Sequence, residues 1–321
     1  MLGSNCHQVI YQSFERNEAF KNNLLKRERF TMKQTKQIRQ WIQLILGVIL
    51  VVGQFILPTA SAQEAKEFEG ETIVVGTVSD SALELWEYVA AKALEEEGIV
   101  LELVLFNDYN QPNVALQNGS IEVSAFQGHP FIKSWNEDND GSVFAIANTL
   151  LMPLGLYSDK HASVEDIPEN GVIALPNDPS TLGRALLALE IAGLIEVDDE
   201  VGIYADEADI TDNPKNLEIL LVEPNFAALS LPDVDAALVN TNFANDAGLS
   251  IDDAIFNDAA DADKVNPMYI NTITTLEENK DNPLYLKLVE IYHTDDVKEK
   301  LLEVYDGQVF PMFDAPLPEV D

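Results

Sequence analysis

From residue 72 onward, short apolar runs alternate with amphipathic segments, and no other property of the chain restricts its fold as much. The run at 72–78 reads as a buried strand. In the stretch 81–97 that follows, Leu83, Trp86, Val89, Ala90, Ala93 and Leu94 fall at helical spacing, Ser81 and Glu84 form a capping box, and Gly98 is the stop. A strand at 99–106, a short helix at 112–117 and a strand at 121–125 continue the pattern. Residues 143–157 are apolar and nearly extended, with Pro153 breaking any helix. The alternation then resumes with strand 172–175, helix 181–192, strand 219–222, a helical segment near 226–229 and strand 234–239. A strand at 269–274 leads back toward the first part, and amphipathic helices near 283–292 and 295–305 close the chain. Each strand–helix–strand step predicts parallel strands joined by right-handed crossovers, so the class is α/β. With 321 residues there is material for about two domains.

Charge divides the chain differently. Residues 1–62 carry 8 basic and 3 acidic side chains; the remaining 259 carry 11 basic and 52 acidic, a net of -41. A body so acidic is repelled by nucleic-acid phosphates and anionic lipid surfaces, which excludes nucleic acid as a partner. The basic leader has Lys33, Lys36 and Arg39 ahead of an apolar run at 41–57, followed by Ala60-Ser61-Ala62. That is the pattern of a secretory signal peptide, with cleavage expected after Ala62 and Met32 as the expected start; an uncleaved anchor is the alternative. Either way residues 63–321 work outside the cytoplasm, periplasmic or at the cell surface. Cys6, in the leader, is the single cysteine, so the body has no disulfide, no cysteine nucleophile and no lipid attachment point at the cleavage site.

Ligands of open α/β sheets bind outside the carboxyl ends of the strands. Here those ends carry Asn107-Asp108-Tyr109, Phe126-Gln127-Gly128-His129, Asn177-Asp178 and Asn240-Thr241-Asn242. Taken singly each cluster reads as an ordinary turn; their shared location argues for one cleft. Arg184 is the only arginine in the body and lies in the first turns of a helix whose apolar stripe is Leu182, Ala185, Leu186 and Leu189. It points away from that stripe, either to pair with a surface carboxylate or to take a ligand carboxylate in its bidentate fork. Tyr109 and Phe126 either pack in the core or line an apolar pocket, and Asn240 and Asn271 have amide oxygens suited to an amine. Acidic loops such as 258–263 read as solvated surface. The body's histidines, His129, His161 and His293, lack metal-ligand spacing, and no GxSxG, GxxxxGK[ST] or GxGxxG is present. No metal site, cofactor or catalytic set is expected, and the chain does not read as an enzyme.

Several segments, in order, resemble the MetQ/NlpA family, the methionine-binding substrate-binding proteins of bacterial ABC importers. They are Phe106-Asn107-Asp108-Tyr109, Ala125-Phe126-Gln127 with Pro130, Pro176-Asn177-Asp178-Pro179 with Leu182-Gly183-Arg184-Ala185-Leu186, Asn213-Pro214-Lys215-Asn216-Leu217, Val239-Asn240 and Tyr269-Ile270-Asn271. The similarity covers about residues 71–313. It implies a two-lobed, periplasmic-binding-protein-like (type II) fold with lobe I from 63–155 plus 269–321 and lobe II from 156–268. It further implies a monomer that closes on L-methionine and presents it to a permease with its ATPase subunits. By position, Arg184 would take the ligand carboxylate, Asn240 and Asn271 its amine, and Tyr109 and Phe126 its thioether. The family's Phe-Gln-His-x-Pro reads Phe126-Gln127-Gly128-His129-Pro130 here, and Phe243 stands where tyrosine is usual. Either His129 turns into the pocket, or the pocket is larger and takes another amino acid or a methionine-containing dipeptide. A solute sensor feeding a membrane receptor is the other functional class left open.

Overall fold

The computed structural model describes residues 66–259 and 265–318. The leader, with its expected signal peptide and cleavage point, lies outside the described residues, as does the end of the acidic loop after Ala259.

In the first part of the chain, β1 (Thr72–Val78), β2 (Val100–Phe106), β3 (Val123–Gln127) and β4 (Val143–Asn148) alternate with α1 (Asp80–Glu97), α2 (Asn110–Gln117) and α3 (His129–Asn139). With β13 (Thr272–Leu276) they form a sheet in the order β2-β1-β3-β13-β4. A second sheet, β10-β7-β11-β6-β12, is built from β6 (Leu154–Tyr157), β7 (Val172–Pro176), β10 (Glu218–Val222), β11 (Ala236–Asn240) and β12 (Phe256–Asn257). Two small ribbons complete the strands: β5 (Leu150–Leu151) with β14 (Phe310–Pro311), and β8 (Glu196–Val197) with β9 (Ile210–Asp212). The helices of the later part are α4 (Pro179–Ile191), α5 (Thr241–Asp246), α6 (Pro283–Tyr292) and α7 (Asp295–Val304). The molecule is a two-lobed α/β protein.

The crossover rule holds within each sheet, where β1 is parallel to β2 and β3, and β7 to β10 and β11. It fails at the strands that pass between sheets. The returning β13 runs antiparallel to β3 and β4, and β6 runs antiparallel to β11 and β12. A strand that arrives from the other sheet has no crossover helix of its own to dictate its direction. Several boundaries also move, the helical segment expected near 226–229 is a pair of tight turns (Pro224–Phe226 and Ala228–Ser230), and α3 is a helix the sequence pattern did not indicate. Ser79, not Ser81, caps α1: its hydroxyl accepts the Ala82 N–H at 3.2 Å, so the helix begins at Asp80, while Gly98 ends it in the left-handed region as expected. The chain at Tyr269 is a tight turn (Pro267–Tyr269), and the strand begins only at Thr272.

Each sheet has its own core. Ile73, Val75, Val123 and Ile273 pack with Trp86, Val89, Leu288 and Tyr292. Leu156, Ile173, Leu175 and Leu238 pack with Leu182, Ala185, Leu186 and Leu189, the stripe read from the sequence. Under the site, β3 and β13 are joined by a buried polar set. Ser124 and Thr274 hydroxyls meet at 2.7 Å, Gln127 donates to Thr274 at 3.2 Å, and Gln127 and Asn113 exchange amide hydrogen bonds at 2.8 and 2.7 Å. Satisfied buried networks of this kind fix one register.

Candidate functional site

A cavity lies where strand ends from both sheets converge. Tyr109 reaches it from the start of α2, Phe126 from β3, Arg184 from α4, Asn240 from the end of β11, and Asn271 from the residue before β13. Phe131, Ser180, Thr181, Asn242 and Tyr269 also line it. The space open to a small molecule is about 100 Å³.

Part of the lining is aromatic. Tyr109 stacks on Phe126 with centroids 5.7 Å apart, Phe131 meets both edge-on at 6.0 and 5.9 Å, and Phe243 packs behind Tyr109 at 5.0 Å. Such rings present an apolar, polarizable wall. The Tyr109 hydroxyl donates to Asn242 Oδ1 at 2.8 Å, tying the first sheet's loop to the second sheet's helix, and burial pushes its pKa up.

Polar groups cluster around the start of α4. Asp178 caps α4, its Oδ1 accepting the Thr181 N–H at 2.9 Å and the Ser180 hydroxyl at 2.7 Å; burial raises its pKa. Gly183 lets that helix come close to the backbone of Ile203, where an added Cβ would sit 2.2 Å from the carbonyl oxygen. This close approach sets the level of Arg184, the next residue. The guanidinium lies over the Tyr269 ring at 4.7 Å. Its Nε donates to Asp258 Oδ2 at 2.6 Å, and its Nη2 donates to Asp258 Oδ1 at 3.0 Å and to the Met152 carbonyl at 2.8 Å. Asn240 Oδ1 and the Tyr269 hydroxyl are buried and have no hydrogen-bond partner among the described residues. Buried acceptors without donors are rare in native structures.

Of the six residues expected at the site, five line the cavity together: Tyr109, Phe126, Arg184, Asn240 and Asn271. His129 is not among the lining residues. It begins α3, is 4% exposed, and its Nε2 has no partner among the described residues; burial lowers its pKa and favours the neutral ring. Gly128, the position before it, is one of the lining residues. A Cβ on Gly128 would lie 3.0 Å from the Met268 carbonyl oxygen and 3.3 Å from that of Ile270, so the turn ahead of β13 fills that space.

Two sequence readings need correction. Asp258 is not part of a solvated loop: its side chain is 8% exposed, against 12% for Arg184, and the two form a buried ion pair. The fork of Arg184 is therefore taken side-on by a protein carboxylate, leaving Nη1 as the guanidinium nitrogen without a partner among the described residues. Phe131, Ser180, Thr181 and Tyr269 were missed as site residues, and Asn242 was read only as part of a strand-end cluster. A lone arginine in an acidic body signals that it has a carboxylate partner, but spacing cannot choose that partner among 52.

Architectures of this kind hold small solutes in the cleft between two lobes, and fold and cavity together place the protein among solute-binding proteins. The model of the NlpA lipoprotein family matches residues 73–313, and the chain belongs to that family. It is 37% identical over 238 residues to the D-methionine-binding lipoprotein MetQ of Escherichia coli K12, covering 73% of this chain and 86% of that one. Among solved structures, a nutrient binding protein from Burkholderia cenocepacia bound to methionine aligns with a TM-score of 0.71 at 36% identity, covering 75% of this chain and 100% of the other. The substrate binding protein of a methionine transporter from Streptococcus pneumoniae aligns with a TM-score of 0.69 at 38% identity, covering 75% and 95%. Among the described residues, no helix is long and apolar enough to cross a membrane.

Proposed function

We propose that the protein is an exported receptor that captures methionine between its lobes and delivers it, as a monomer, to an ABC permease and its ATPase subunits. It carries out no chemistry of its own. One observation carries the reading: a small cavity brings together the stacked rings of Tyr109 and Phe126, Arg184 with its Nη1 without a partner among the described residues, and Asn240, whose buried Oδ1 likewise has none. Arg184 takes the carboxylate, Asn240 and Asn271 take the ammonium, and Tyr109 and Phe126 enclose the thioether. The lobes are 63–155 plus 269–321 and 156–268, each centred on one sheet. Closure is favoured because a ligand touching both lobes binds the closed state more tightly than the open one.

The ligand in this reading is a single amino acid rather than a dipeptide. A competition panel tests this, with methionine enantiomers, leucine and glycylmethionine offered against bound L-methionine. Methionine should displace best; glycylmethionine displacing as well as methionine would contradict the reading.

A further inference from the structure

We infer that Asp258 selects the charge class of the ligand, neutralising Arg184 so that the cavity accepts a zwitterion and discriminates against a net anion. The inference rests on the amino-acid reading above and goes beyond it, since nothing in that reading assigns a role to Asp258.

A site with a free arginine is an anion site: it would favour a deaminated or N-acylated acid over the parent amino acid. This site is different. Asp258 holds Nε and Nη2 of Arg184 at 2.6 and 3.0 Å, and both side chains are close to nine-tenths buried, so they form a pair of zero net charge in a low dielectric. Among the described lining residues, Arg184 is the only charged one. Asp178, at the start of α4, is not among the lining residues; its Oδ1 accepts from the Thr181 N–H and the Ser180 hydroxyl, and its Oδ2 has no partner among the described residues.

Asp258 is itself fixed in place. Its Oδ1 also accepts the Leu154 N–H at 2.8 Å, which ties it to the strand entering the second sheet. A ligand carboxylate at Nη1 therefore shares one guanidinium with a second, immovable carboxylate. An anion pays that repulsion in full. A zwitterion recovers it through its ammonium group, which Asp258 attracts and Asn240 Oδ1 accepts. Asp258 touches Arg184 and not the cavity, so it is a positioning residue that acts through the guanidinium.

The test is calorimetry on the full chain with three probes of one skeleton: L-methionine as the zwitterion, 4-(methylthio)butanoate as the anion and methioninamide as the cation. In Asp258→Asn, affinity for the anion should rise relative to methionine by at least about tenfold, the order expected for removing one nearby charge. A purely structural role for Asp258 would weaken both ligands alike, and an unchanged ratio with a folded variant overturns the inference. If Asp258→Asn does not fold, the unmodified protein supplies the test: anion and cation should bind comparably weakly, and a strong preference for the anion overturns the inference. Failure of methionine itself to bind the unmodified protein would overturn the receptor reading and this inference together; binding of methionine with an unaltered ratio would overturn the inference alone.

Discussion

Arg184 meets its surroundings through three different contacts: the face of Tyr269, the carboxylate of Asp258 and the carbonyl of Met152. Arg184→Ala should weaken methionine binding by roughly 2–5 kcal/mol, as when one partner of a buried charge pair is lost. It should also destabilise the fold by about 3–5 kcal/mol, because Asp258 is left buried and unpaired. Denaturation of the Arg184→Ala/Asp258→Ala double variant separates the two effects: stability should return while binding does not, and binding that returns with it would remove Arg184 from the site. Gly128 is the second informative residue. Gly128→Ala should cost about 1–3 kcal/mol through overpacking against the Met268 and Ile270 carbonyls, and an unchanged melting temperature would show that the turn yields freely. At this scale much of the site was legible in the sequence, because strand ends are where ligands bind and unusual polar residues stood there. Asp258 was not legible: its meaning depends on a partner 74 positions away, and one carboxylate in an acidic chain looks like any other.

Elements were readable where local patterns act alone and unreadable where a partner decides. The spacing of apolar residues found α6 and α4, and Gly98 marked the end of α1. The direction of β13 and β6 depends on which sheet they enter, and nothing within five or so residues records that. Helix contacts have consequences of their own, as at α1 and α7. Burial pushes the Asp296 carboxyl up, but hydrogen bonds from Lys92, Thr294 and Tyr88 outweigh it and hold its pKa at about 2, below its ordinary 3.8. A carboxylate held low in the folded state adds stability that is fully present above its unfolded pKa and is lost as pH falls through the folded one. The stability difference between the unmodified protein and Asp296→Asn should therefore be constant above about pH 5 and shrink from pH 4 toward about pH 2. Denaturant titrations across that range check it; a gap that is independent of pH would mean the α1–α7 contact does not rest on this charge.

For the whole molecule, charge and closure decide behaviour. A body with 52 acidic and 11 basic side chains repels itself, and salt screens that repulsion over roughly 8–10 Å at ordinary ionic strength. The melting temperature should rise between low and molar salt, and a value independent of salt would contradict a repulsive surface. Closure over a ligand is the central claim, since the cavity draws its walls from both sheets and its aromatic lining joins them through Tyr109 and Asn242. Its most direct test is calorimetric titration of L-methionine into the protein after unfolding and refolding have removed any ligand carried through purification. Tight one-to-one binding is the expected result; no heat from a protein shown to be folded would contradict closure over methionine.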